Sequence, residues 1–171
     1  MPKDKRTLSM IQRIQSLLLL GVALLLAINL FVPIWTNKEL GAKIEVTAFS
    51  ITKAPEALKK SNSSLFEQKI DSYYIGSLMI ASIGLALYTL FLYNNRPKQL
   101  MYCNLLTVLT LIIIGTYFIA IPAAKALMLK ANEGSYEIGY FIPLLASILT
   151  IGARYFIRKD EELVKDSNRM R

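Results

Sequence analysis

The side chains that could do chemistry in this sequence are few, and most of the chain consists of long apolar segments. There is no histidine and only one cysteine, Cys103, so the commonest general base and metal ligand is missing and paired-thiol chemistry is excluded. None of the apolar segments carries a carboxylate or a lysine in its interior. Ion-coupled transporters and proton pumps generally need such a group, so the sequence argues against both. We expect no catalytic residue, no cofactor and no metal site.

The polar groups that remain inside the apolar segments are amides and hydroxyls. Asn29 lies in the first segment and Asn104 in the third, and the accompanying hydroxyls are those of Thr107, Thr110, Thr116 and Ser147. These groups could line a path for a solute, but hydrogen bonds between helices explain them as well, at roughly 0.6 to 2 kcal/mol each. We favour the structural interpretation, and we keep a small transporter or channel for a neutral or lipid-like solute as the alternative.

The elements that must position these residues are transmembrane helices. Of 171 residues, 54% are hydrophobic and 19% charged, and the apolar residues form four runs of about 20 residues, each long enough to span a hydrocarbon core of roughly 30 Å. We predict one all-α domain, 1–171, built as a four-helix transmembrane bundle with spans at about 15–35, 73–94, 101–124 and 137–157. The first run is longer than a signal-peptide core and lacks a small-residue cleavage site, which indicates a retained anchor.

The distribution of charge predicts the orientation of these spans. The net charge is +8, and the bases are in excess before the first span, in the turn at 95–100 and in the tail from Arg154. The connecting segments 36–72 and 125–137 are close to neutral. This is the positive-inside pattern for an even number of spans, so we expect both termini in the cytoplasm of a bacterial inner membrane. The positive charge is explained by topology, and we expect membrane lipid and no nucleic acid as a partner.

The outer loop, 36–72, is the largest predicted extramembrane segment. Polar and apolar residues alternate from Lys43 and β-branched types are frequent up to Thr52, although the alternation slips at Ala48, so we predict a short strand or hairpin there. Residues 56–60 and 65–70 have the pattern of short helical turns. A cap of this size is too small to fold without the helices beneath it.

The charged tail predicts that the fourth helix continues beyond the membrane. Arg158 and Glu162 are spaced i, i+4, as are Glu161 and Lys165, which is typical of a solvated helix with paired charges. Mixed charges with some apolar residues suit a protein partner better than lipid attraction alone, which would favour bases. Arg154, about one turn earlier, can extend to the lipid headgroups or pair with a partner subunit.

Three stretches together resemble one bacterial family, domain of unknown function 4293. They are residues 10–16 at the entry to the first span, 92–100 in the turn between the second and third spans, and 157–164 with 168–171 in the tail. The resemblance covers nearly the whole chain from Met10, and members of the family usually begin at the matching position. Asp166 and Asn168 stand where the family pattern tends to have Ser and Asp. The resemblance implies four spans in an inner membrane and assigns no activity.

All of these stretches fall at the predicted cytoplasmic face, where we therefore expect the functional surface. The leading hypothesis is a non-enzymatic subunit or assembly factor that recognises a membrane-protein partner or a second copy of itself. An enzyme would need a polar cluster that could include Arg13, Arg96 and Asp160. The candidate partner-binding residues are Gln12, Arg13, Gln15, Arg96, Arg158, Lys159, Asp160, Glu161, Arg169 and Arg171.

Overall fold

The computed structural model describes residues 5–39, 42–55, 68–93, 95–126 and 134–169. Within these ranges the chain forms four helices and five strands. The helices are α1 (Lys5–Asn29), α2 (Tyr73–Phe91), α3 (Arg96–Ala126) and α4 (Ile138–Arg169). The strands are β1 (Trp35–Glu39), β2 (Ala42–Val46), β3 (Ser50–Pro55), β4 (Gln68–Asp71) and β5 (Ser135–Tyr136). The fold is mostly helical and includes a small antiparallel sheet.

Three helical stretches in the described residues are long and apolar enough to cross a membrane. They are Tyr73–Phe91, Arg96–Ala126 and Ile138–Glu162, with mean hydropathies of 1.7, 2.3 and 1.6. The apolar part of α1, Ile14–Asn29, is shorter. The helix ends before the predicted limit at residue 35, because Pro33 has no backbone N–H and disfavours a helical conformation in the residue before it.

The four helices pack side by side in chain order, and α4 closes the ring by packing along α1. Successive helices are antiparallel: a short turn joins α2 to α3, and the strands of the sheet connect α1 to α2 and α3 to α4 at the opposite end. We call the end that carries the α2–α3 turn and the end of α4 the tail end, and the opposite end the sheet end. The side chains of Leu19, Leu26, Leu106 and Ala153 are among those that fill the space between the helices toward the tail end.

The α2–α3 connection is tighter than the sequence pattern predicts. The helix α2 ends at Phe91 and α3 begins at Arg96, five residues before the predicted start of the third span at residue 101. Pro97 lies in the first turn of α3, where a missing N–H costs little. Arg96 is therefore held at the start of a helix and not in a loop.

The sheet is antiparallel throughout, in the order β4-β3-β2-β1-β5. The predicted hairpin is the β2–β3 pair, and its turn is closed by the Thr47 hydroxyl, which donates to the Ser50 carbonyl oxygen at 2.9 Å. This turn accounts for the break in alternation at Ala48. The last residues of the predicted helical turn at 65–70 are instead in β4, because pairing with β3 satisfies their backbone groups. The predicted turn at 56–60 lies outside the described residues.

The sheet packs directly on the ends of the helices. Trp35 of β1 and Ile44 of β2 are fully buried in one cluster with Ile75 of α2 and Ile113 of α3. The contact is too close for a side chain at Gly76, where an added Cβ would overlap the ring of Phe49. Gly134 makes an equally close contact, because an added Cβ there would overlap the indole ring of Trp35. The cap and the helices thus share one core.

Candidate functional site

The tail end contains a buried ion pair that joins α3 to α4. The Nη1 atom of Arg96 lies 3.0 Å from Oδ2 of Asp160 and also donates to the backbone oxygen of Asp160 at 3.1 Å. The Asp160 side chain is 1% exposed and that of Arg96 is 22% exposed. A carboxylate buried to this extent is stable only when it is paired and hydrogen-bonded, so Arg96 fixes the position of α4 relative to the α2–α3 turn.

The turn that presents Arg96 is itself held by a side chain. The Nε2 atom of Gln99 donates to the backbone oxygen of Thr89 at 3.3 Å, and the backbone N–H of Leu92 donates to the same oxygen at 3.2 Å. Gln99 is buried, and its amide gives a second hydrogen bond to a carbonyl at the C-terminal end of α2. Gln99 lies within the 92–100 stretch but was not among the candidate residues, since a glutamine in a polar turn gives no sign of burial.

In the described part of the chain, two buried polar atoms at the tail end have no hydrogen-bond partner. They are Oδ1 of Asp160 and Nε2 of Gln15, which is 5% exposed. With Gln15 in α1, Thr89 in α2 and Gln99 in α3, all four helices bring buried polar groups to this end. Buried polar groups without partners are uncommon and costly, and they mark places where a water molecule or a binding partner can contribute. The Arg96–Asp160 pair can hold α3 and α4 together, and the unpaired atoms of Asp160 and Gln15 can form hydrogen bonds with a water molecule or a partner.

The charged residues that follow in α4 divide between two faces of the helix. Arg158 and Lys159 are exposed, whereas Asp160 faces the neighbouring helices. The predicted i, i+4 pair is present, with Nε of Arg158 at 3.3 Å from Oε1 of Glu162. The helix runs to Arg169, which confirms the prediction that it continues beyond the apolar segment.

Some candidate residues cannot be placed in full. The side chains of Gln12, Arg13 and Arg169 lie outside the described residues, as do the side chain of Lys165 and all of Arg171. The structure therefore brings together Arg96 and Asp160, two of the three residues that the polar cluster of the enzyme alternative could include. Among the described residues, no three Cys, Asp or Glu side chains cluster in a way that could hold a metal ion.

The two candidate amides, those of Asn29 and Asn104, lie far apart. Asn29 is buried at the sheet end, where its Nδ2 donates to the hydroxyl of Tyr117 in α3 at 3.0 Å. Asn104 is exposed and lies near the tail end of α3, thirteen residues before Tyr117 in the sequence, or about 20 Å along the helix axis. Asn29 therefore makes the interhelical hydrogen bond that the structural interpretation expected, and Asn104 does not share its surroundings.

The hydroxyls inside the helices are also hydrogen-bonded. Ser147 in α4 donates to the Thr110 hydroxyl in α3 at 3.0 Å, which is a second interhelical bond. Thr107 and Thr116 donate to backbone oxygens of their own helix at 2.9 and 2.6 Å. Tyr117 was missed as a candidate, although its position in the middle of a predicted span, away from the interface where tyrosines are usual, was a signal.

A groove opens on the outside of the tail end, between α3 and α4. It has a volume of about 320 Å³, and the residues that line it are Leu100, Asn104, Arg154, Arg158, Glu161 and Glu162. Arg154 lies one helical turn closer to the sheet end than Arg158, about 6 Å along α4. The groove thus has two guanidinium groups at different depths and two carboxylates at its outer mouth.

Comparison with known proteins gives one family. The family described as Domain of unknown function (DUF4293) matches residues 11–170, and this range includes every helix and strand of the fold except the first residues of α1. A search among curated proteins found no match. The chain belongs to the family of the Domain of unknown function (DUF4293), as the resemblance of its three polar stretches predicted.

Proposed function

We propose that this protein is a four-span subunit or assembly factor of a bacterial inner membrane, without enzymatic activity of its own, which binds a membrane-protein partner through its tail end. In this proposal α1 also spans the membrane, in addition to α2, α3 and α4. The apolar residues 30–34 extend the apolar part of α1 toward the membrane surface. The helices present large exposed apolar side chains outward, such as Leu24, Leu87, Phe118 and Ile148, as lipid contact requires. The excess of bases at the tail end supports a cytoplasmic location for that end and for both termini.

The observation that carries the proposal is the Arg96–Asp160 pair. It anchors α4 where the helix leaves the ring, and nine further residues of helix follow Asp160, which corresponds to about 14 Å. A charged helix that is fixed at its base loses little conformational entropy when a partner binds, so it is well suited to recognition. Arg158 and Lys159 on its exposed face, together with Arg169 and Arg171 beyond Glu162, would provide the contacts.

The alternative, a small transporter or channel, has less support from the packing. A path through the ring would have to join Asn29 to Asn104, and the space between them contains the fully buried side chains of Leu26, Leu106 and Ile113. The polar atoms of Ser147 and Thr110 in this region bond to each other. Transport would therefore need a rearrangement of the ring.

Affinity purification in mild detergent, followed by mass spectrometry, tests the proposal. The full chain should recover a stoichiometric partner. A variant truncated after Glu162 should insert but lose that partner, and this cut is preferable to removal of the whole tail because it keeps the Arg96–Asp160 pair. A variant with Lys98→Gln, an exposed base in the α2–α3 turn, is the matched control. A pure homo-oligomer that moves a solute in liposomes would contradict the subunit proposal in favour of transport.

A further inference from the structure

The groove between α3 and α4 is lined by two arginines and two glutamates. In the proposed topology it lies at the level of the lipid headgroups. Arg154 and Arg158 are both exposed and are one turn apart on the same face of α4. Among the described side chains, no ion pair is recorded for Arg154, and Arg158 has only the pair with Glu162. That pair is exposed on both sides, so it contributes little to stability and can be exchanged for a ligand.

The residues deeper in the membrane on the same two helix faces are apolar. Val108 follows Asn104 by one turn in α3, and Ile151 precedes Arg154 by one turn in α4; both are about half exposed. From the centre of the membrane outward, the surface thus runs from apolar side chains, through an amide and two guanidinium groups, to the carboxylates of Glu161 and Glu162. A phospholipid has the same order of acyl chain, phosphate and headgroup terminus.

We propose that this groove is a binding site for a phospholipid with a zwitterionic headgroup that ends in a primary ammonium, namely phosphatidylethanolamine. The phosphate lies between Arg154 and Arg158, with Asn104 as an additional donor, because guanidinium groups bind phosphate through paired N–H bonds. The ammonium lies against Glu161 and Glu162. An ethanolamine ammonium carries three N–H donors for these carboxylates, whereas a choline headgroup has none.

The net charge of the groove selects against anionic headgroups. Two arginines and two glutamates match one phosphate and one ammonium, while an anionic lipid such as phosphatidylglycerol brings no ammonium for the carboxylates and adds a negative charge close to them. The proposal rests on the proposed membrane location of the tail end. It does not depend on a protein partner.

Native mass spectrometry of the full chain in detergent, with equal concentrations of phosphatidylethanolamine, phosphatidylcholine and phosphatidylglycerol, tests the site. We expect phosphatidylethanolamine to bind about tenfold more tightly than either competitor, the factor that corresponds to one charge-assisted hydrogen bond. Arg154→Gln with Arg158→Gln should remove this preference. Lys159→Gln, which removes an exposed base at the same depth but outside the groove lining, should keep it.

A charge reversal in the groove provides a second test, with a gain of binding that a misfolded variant would not show. Glu161→Lys with Glu162→Lys should make phosphatidylglycerol the preferred lipid, which is a gain of binding. Equal binding of the three lipids by the unmodified chain, or a preference that survives the double arginine substitution, would overturn the proposal. Failure of the membrane location would be seen separately, as recovery of the protein in the soluble fraction of the cell.

Discussion

The Arg96–Asp160 pair predicts an asymmetric response to substitution of its two members. Arg96→Met leaves the carboxylate of Asp160 buried at 1% exposure without a cation. Loss of one partner from a buried pair typically costs about 3 kcal/mol or somewhat more. Asp160→Asn leaves Arg96 with 22% exposure and with its bond to the backbone oxygen of residue 160, so the cost should be about 1.5 kcal/mol, the lower end of the range for one hydrogen bond to a charged group.

The assay is thermal unfolding of the purified protein in one detergent. For a chain of this size, each kcal/mol corresponds to a shift of about 2 to 4 °C in Tm, so Arg96→Met should lower Tm by about 6 to 12 °C and Asp160→Asn by roughly half as much or less. The double variant should lose less than the sum of the single losses, because each single substitution leaves the other group unpaired. Lys98→Gln should have no measurable effect.

Two outcomes would refute this reasoning. Equal and small shifts for both single variants would mean that the pair is hydrated and that its burial does not matter. Strict additivity in the double variant would mean that Arg96 and Asp160 do not interact in the folded protein.

Three further predictions concern the sheet end and the topology. Tyr117→Phe removes the acceptor of the buried asparagine in α1 and should cost roughly 0.6 to 2 kcal/mol, whereas Tyr93→Phe at an exposed position should cost nothing measurable in the same unfolding assay. Gly76→Ala should destabilise the protein because the new methyl group meets Phe49, whereas Gly84→Ala, with open space around it, should be neutral or stabilising. A cysteine introduced in the loop at 61–64 should react with a membrane-impermeant thiol reagent in intact cells, and labelling only after lysis would contradict the topology.

The arrangement of helices was predictable where it depends on hydropathy and charge. The apolar runs gave the helical stretches near Tyr73–Phe91 and Ile138–Glu162, and the i, i+4 spacing of Arg158 and Glu162 correctly predicted a helix that continues into the tail. These signals are local in the sequence, so a single chain is enough to detect them.

The features that were missed depend on contacts between distant parts of the chain. The two-residue strand β5 exists only because it pairs with β1, about a hundred positions earlier, and nothing in Ser135–Tyr136 predicts a strand. In the same way, Asn29 and Asn104 are the same residue type in similar apolar surroundings, yet only the packing order of the helices makes one buried and the other exposed. The meeting of Arg96 with Asp160 also depends on that order.

The claim that the tail end binds another protein can be tested most directly by site-specific photocrosslinking in living cells. A photoreactive residue at position 159, which is exposed on α4, should give one crosslinked product of defined mass that contains a second protein. The same residue at position 31, exposed at the sheet end, should not give that product. If position 159 yields no protein adduct, or yields the same products as position 31, the tail end is not the recognition surface.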